Sequence, residues 1–280
     1  MLELSIPVWT GVCNANGKQI LGLGNDIYQI AVAIVEGVAG NAARVSFNAA
    51  EDNRKKAHNI DGITVLFPSL REGVVLKEGV VTEIVTPTLI TRHSQMAGCR
   101  PSLLRKALIG YFRPYIHEYL NNDETYEDVL VIYLRGGDAL DEWAQNAWRP
   151  SPLGYDFYRD VIEKSELSKI LIVTTPPENG KMHPLVHKIQ QEHDAQLQHG
   201  SIIEDYSVLA NCTNLVLDFS TFGYTAALMN TNLKKVFLSK YTDKQGRPLL
   251  ADIRDDVGFT MPTIENCDVY IYDYPAYVIK

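Results

Sequence analysis

Basic residues are in short supply: Lys and Arg number 26 against 34 Asp and Glu, leaving a formal net charge of -8. That balance argues against a general nucleic-acid or anionic-membrane partner, either of which wants a basic face. Long apolar runs are missing too, with nothing near the roughly 18 uninterrupted apolar residues of a membrane helix. The four cysteines (Cys13, Cys99, Cys212, Cys267) form no CxxC pair, which suits reduced, buried thiols better than a zinc site or a disulfide frame. Met1 to Pro7 has no basic n-region and carries Glu3 and Pro7, unlike a signal peptide, so the expected location is the cytoplasm. Asn211-Cys212-Thr213 is a glycosylation sequon in form only, because it falls between a helix and a buried strand. Internal repeats and low-complexity segments are absent.

What is present reads as a globular chain. With 46% hydrophobic and 21% charged residues, 280 residues can bury a full core in one large or two compact domains. The second half alternates. Residues 128–134, 169–174, 214–219 and 234–238 are short, almost wholly apolar runs, as expected of strands covered on both faces. Helical patterns lie between them, at 155–164, 183–195, 205–210 and 223–229. Such alternation predicts parallel βαβ units and a doubly wound α/β sheet.

The first half is similar in kind. Ile27, Ile30, Ala31 and Ile34 mark one face of a helix over 26–36 that Gly37 and Gly40 should end, and 43–48 reads as a strand. Pro101 opens a helix with the stripe Leu104, Ala107, Leu108, Tyr111, Tyr115, Tyr119, which Pro114 should kink or divide. The polar run 121–124 places a boundary there, giving an N-terminal domain over 1–122 and a C-terminal domain over 123–280. The tyrosine-rich tail, about 265–280, is expected to pack back across the first domain.

Chemistry is concentrated where apolar runs meet helices. Asp218-Phe219-Ser220-Thr221-Phe222-Gly223 joins a buried strand to a helix, so its hydroxyls and free N–H groups suit an anion, a phosphate above all. Arg135-Gly136-Gly137-Asp138 follows the run VLVIYL. An arginine outside the carboxyl end of such a strand points into the ligand crevice, and its planar fork suits a diphosphate. Asp138 would orient that arginine or accept from a sugar hydroxyl. Gly22-Leu23-Gly24-Asn25-Asp26 allows close backbone approach before the first helix, but Ile27 stands where a dinucleotide fingerprint needs glycine. Asp26 is there either to cap that helix or to serve as a base. His183 and His187 have i, i+4 spacing, yet Pro184 puts His183 at a helix start, and they are read as a solvent-facing pair rather than metal ligands. The aromatics Trp143, Trp148, Tyr155 and Tyr158 either stack on a sugar or fill the core.

In order and spacing, Gly22-Leu23-Gly24-Asn25 with Tyr28-Gln29, Tyr133-Leu134-Arg135-Gly136-Gly137-Asp138, and Asp218 to Gly223 resemble the motifs of fucosyltransferase-like enzymes of GT-B architecture. That group includes alpha-1,2-, alpha-1,6- and protein O-fucosyltransferases, with a GxGNxxxQ-like start, an HxRRxD-like loop and an STF-like segment. The resemblance spans about residues 20 to 240 and implies two Rossmann-like domains facing a central cleft. It implies that Arg135 stabilises a leaving nucleoside diphosphate, that Ser220, Thr221 and Phe222 cradle its phosphates, and that Asp205 lies near the nucleoside. Gly24, Asn25 and Asp138 join the donor side; His93 and Trp143 are assigned to the acceptor. Tyr133 stands where the family usually has histidine, and Gly136 where many members have a second arginine. A pentosyl or deoxyhexosyl donor other than GDP-fucose, UDP-xylose for instance, fits those departures.

The expected activity is therefore inverting, metal-independent transfer of a fucose- or xylose-type sugar from a UDP- or GDP-sugar to a hydroxyl of a glycan. No cofactor, nucleic-acid partner or membrane insertion is expected. Asp26 is the first choice of general base, with Asp138 and His93 behind it. The alternatives are an inactive glycan- or nucleotide-sugar-binding module and a GT-B-type nucleotide-sugar epimerase.

Overall fold

A computed structural model describes residues 3–8, 23–49, 67–76, 101–120, 126–137, 140, 153–175, 182–198, 200–218, 220–239 and 264–272. The chain divides into two compact units, Met1–Leu120 and Asn121–Lys280.

In the first unit, β1 (Glu3–Val8) and β2 (Arg44–Ala49) pair in parallel through α1 (Leu23–Ala39), and β3 (Val74–Val75) adds antiparallel to β2. The expected stripe of α1 is the buried one, with Ile27, Ile30 and Ile34 fully enclosed. The helix is longer than its stripe implies, and Gly37 lies inside it. Its end is set by Asn41 at φ 53°. The Ala42 N–H reaches the Gly37 carbonyl at 2.8 Å and the Asn41 N–H the Val38 carbonyl at 3.1 Å. That pair is a Schellman closure, with asparagine in the left-handed position usually held by glycine. Pro114 also acts differently from a simple break. Behind α2 (Pro101–Ala107), residues Leu108–Phe112 widen into a π-helical turn before α3 (Arg113–Ile116). Proline lacks an N–H and crowds the carbonyl one turn back, and the wider turn accommodates both.

The second unit is a mixed α/β fold around a six-stranded, wholly parallel sheet. Its strands are β4 (Val129–Leu134), β5 (Lys169–Thr174), β6 (Gln196–Leu197), β7 (Asn214–Val216), β8 (Lys235–Ser239) and β9 (Asp268–Tyr272). Helices α4 (Tyr155–Ser165), α5 (Val186–His193), α6 (Ile202–Asn211) and α7 (Thr221–Met229) connect or follow them. Alternate residues of β4 serve opposite faces. Leu130, Ile132 and Leu134 join Phe157, Tyr158, Val161, Val186 and Ile189 of α4 and α5 in one buried cluster, each such side chain contributing roughly 1.5–3 kcal/mol. Of the tail, residues 268–272 form β9 beside β8; residues 273–280, and with them the expected packing across the first domain, lie outside the described residues.

Three helix starts of this unit differ from the sequence reading, α7 by beginning at Thr221, two residues before the expected 223. α6 begins three residues before Asp205, because Ser201 accepts the Glu204 N–H while Glu204 accepts the Ser201 N–H, a complete capping box. α5 begins only at Val186, because His183 is buried in the preceding turn, where its Nδ1 accepts the Leu185 N–H at 3.2 Å. The expected solvent-facing pair is thus a buried His183 and an exposed His187. Burial pushes the His183 pKa down to about 4, so its imidazole is uncharged at neutral pH.

Candidate functional site

The sheet order β6-β5-β4-β7-β8-β9 reverses its winding between β4 and β7. In an open parallel sheet, ligands bind outside the carboxyl ends of the strands at such a reversal. The motifs around Arg135 and Ser220 emerge from those two strand ends.

A set of long-range contacts ties the ends together. The buried carboxylate of Asp218 accepts the Arg135 N–H at 3.1 Å, so the residue after β4 is anchored to the segment after β7. Two residues before Arg135, the Tyr133 hydroxyl donates to Ser220 Oγ at 3.2 Å. Ser220 in turn caps α7, accepting the Phe222 N–H at 3.1 Å with extended backbone at the cap. The Tyr133 ring lies 5.7 Å from that of Phe222, which meets Tyr206 of α6 edge-on at 5.1 Å. Tyr206 donates to Thr225 Oγ1 at 3.2 Å, closing the layer of α6 and α7.

Two glycines make this approach feasible. A Cβ on Gly223 would sit 2.7 Å from the Tyr133 ring, so only glycine lets the first turn of α7 come down onto β4. Gly137 turns the chain after Arg135 at φ +68°, in the left-handed region.

The electrostatics converge on the same spot. Burial raises the Tyr133 pKa to about 12; Arg135 acts downward, Asp218 and Asp205 upward. Tyr133, Arg135, Asp205, Asp218 and Ser220 are therefore one electrostatic group. Asp205, in the first turn of α6, is 8% exposed, and its Oδ1 has no hydrogen-bond partner among the described residues. Burial, then the neighbouring Glu204, raises its pKa to about 7. A desolvated, unpartnered carboxyl in the first turn of a helix that follows a strand of the sheet is a candidate place for a ligand donor group.

Of the residues expected on the donor, Arg135, Asp205, Ser220, Thr221 and Phe222 meet here. Tyr133, Asp218 and Tyr206 belong to the group without having been assigned a part in it. Asp138, His93 and Trp143 lie outside the described residues. Gly24 and Asp26 belong to the first unit, as does the backbone of Asn25, and they stand inside α1 instead of in a loop before it. Asp26 is therefore not a cap. It is the fourth residue of the helix, 2% exposed, with Oδ1 unpartnered among the described residues and its pKa raised by burial to about 7. Of the aromatics, Tyr158 is core. Tyr155 holds its hydroxyl 2.8 Å from His193 Nε2 with the Lys188 ammonium over its ring. Among the described residues, no group of three or more His, Cys, Asp or Glu side chains is gathered to hold a metal, and no helix is long and apolar enough to cross a membrane. Cys212 is a buried thiol and Cys267 a partly exposed one.

No family model, curated protein or solved structure matches the chain.

Proposed function

We propose that the protein is an inverting glycosyltransferase of GT-B type, moving a deoxyhexose or pentose from a UDP- or GDP-sugar to a hydroxyl of a glycan. The observation that carries this is the grouping of Arg135, Asp205 and the Ser220-capped start of α7 at the winding reversal of a parallel sheet. A guanidinium and a helix N-terminus would supply the positive field that a diphosphate needs, and the buried, unpartnered Asp205 carboxyl supports a contact with donor groups of the nucleoside.

In the proposed reaction the acceptor hydroxyl forms a bond to the anomeric carbon as the bond from that carbon to the diphosphate breaks. The diphosphate departs with the electron pair, stabilised by Arg135. Asp26 is the base proposed for the hydroxyl proton. Its raised pKa suits that work, because a carboxyl near 7 is partly ionised in neutral solution and, once ionised, is a stronger base than an ordinary carboxylate. Positive charge comes from Arg135 and α7, so the proposed chemistry calls on no divalent ion.

A thermal-shift screen of UDP- and GDP-sugars tests the proposal. A ligand at 100 times its Kd stabilises by about 2.7 kcal/mol, and product assays with the binding donor then follow. Binding without transfer would leave a nucleotide-sugar-binding module, and donor conversion without acceptor an epimerase.

A further inference from the structure

Ser220 does more than cap a helix. Its Oγ accepts twice, from the Phe222 N–H at 3.1 Å and from the Tyr133 hydroxyl at 3.2 Å. A serine hydroxyl has two lone pairs and one proton, so its accepting capacity is full and its proton is what remains. Ser220 is 5% exposed, and among the described residues no acceptor is set against that proton. Asp205, whose charge acts on the same Tyr133 hydroxyl, also has a buried Oδ1 that is unpartnered among the described residues. Two unused polar functions in one buried group, at the start of a nine-residue helix, mark a place prepared for a ligand.

We infer that Tyr133 is a positioning residue: by occupying the second lone pair of Ser220 and bracing α7 against β4, it fixes Ser220 as a hydrogen-bond donor to a phosphoryl oxygen. This rests on the nucleoside-diphosphate reading of the same site. Tyr133 suits the part because its hydroxyl is buried and its raised pKa keeps it protonated, hence a constant donor, throughout the neutral range. Its ring is held from two sides, by Phe222 and by the close approach of Gly223, so the hydroxyl has one place to point. Without that hydroxyl, Ser220 would expose a lone pair to the incoming oxygen and lose its fixed direction.

The test is a double-mutant cycle on the full chain, read by titration calorimetry with UDP, GDP and inorganic pyrophosphate. Tyr133→Phe keeps the ring and removes only the donor. It is expected to bind the responding probe about tenfold more weakly, on the order of one lost hydrogen bond. Ser220→Ala should lose at least as much, and the double variant no more than Ser220→Ala alone, because Tyr133 acts through Ser220. A merely structural Tyr133 would lower the unfolding midpoint in both backgrounds and show no such coupling in affinity. Wild-type affinity in Tyr133→Phe, or losses that add in the double variant, overturns the inference while the nucleotide reading stands. No binding of any probe by the wild type overturns that reading and this inference with it. Should Tyr133→Phe not fold, Ser220→Cys tests the donor role of Ser220 on which the inference rests: a thiol is a poor donor, so a loss like that of Ser220→Ala keeps that role and unchanged affinity overturns the inference.

Discussion

Replacing Asp205 with asparagine should make the protein more stable in alkaline than in mildly acidic solution, relative to the wild type. Folding raises the Asp205 pKa from 3.8 to about 7, chiefly by burial. A carboxyl whose folded pKa is raised binds its proton more tightly in the folded state. The stability this contributes is full below about pH 4 and is lost as pH rises through about 7. Between pH 5 and pH 8 the wild type should forfeit about 2–3 kcal/mol through this residue. An amide side chain cannot titrate, so the difference in stability between Asp205→Asn and wild type should shift by that amount in favour of the variant. In a unit of this size the shift corresponds to roughly 5–10 °C in Tm. His183 and Asp26 also titrate with shifted pKa values, but they are common to both proteins and cancel in the comparison. Urea unfolding of the two proteins at pH 5, 6, 7 and 8 measures the effect. Parallel stability profiles would refute the argument, and would mean that Asp205 is either solvated or already paired.

Three further outcomes follow from the geometry. Gly223→Ala should destabilise by roughly 1–3 kcal/mol in urea unfolding, because its methyl would fall 2.7 Å from the Tyr133 ring; unchanged stability would show that α7 can lift off β4 freely. Asp26→Asn should abolish transfer while nucleotide-sugar binding by calorimetry stays near wild type, and the wild-type rate should rise with pH through about 7 as the base loses its proton. Near-normal transfer by that variant would remove Asp26 from the mechanism. Chelation with EDTA should leave transfer largely intact, whereas complete loss restored by Mn²⁺ or Mg²⁺ would reveal a metal requirement.

The sheet of the second unit was legible because a strand covered on both faces is an unbroken apolar run. β5 occupies the expected 169–174, and β4 begins one residue later than expected. β9 gave no such signal, since as an edge strand it leaves Tyr270 and Ile271 exposed. The start of α6 carries a local signal in the capping-box spacing of Ser201 and Glu204, whereas the apolar pattern that predicts a start at Asp205 begins only after the first turn. Arg135 and Ser220 could be singled out because a strand end followed by glycine or hydroxyl residues is a local pattern. What joins them is not local. The Tyr133–Ser220 and Arg135–Asp218 bonds span 87 and 83 residues, and only the strand order brings such positions together. Asp26 misled in the opposite sense, because a carboxylate after two glycines resembles a cap while α1 already contains it.

Titration of UDP and GDP into the wild type and into Arg135→Lys tests the central claim most directly. Lysine keeps the charge at Arg135 and removes the planar fork that holds two phosphate oxygens at once. The account predicts saturable binding of at least one nucleotide by the wild type and at least about tenfold weaker binding by a folded Arg135→Lys, with turnover of the matching sugar donor lower by about 10²- to 10³-fold. Absence of binding by the wild type, or undiminished affinity in Arg135→Lys, would contradict it.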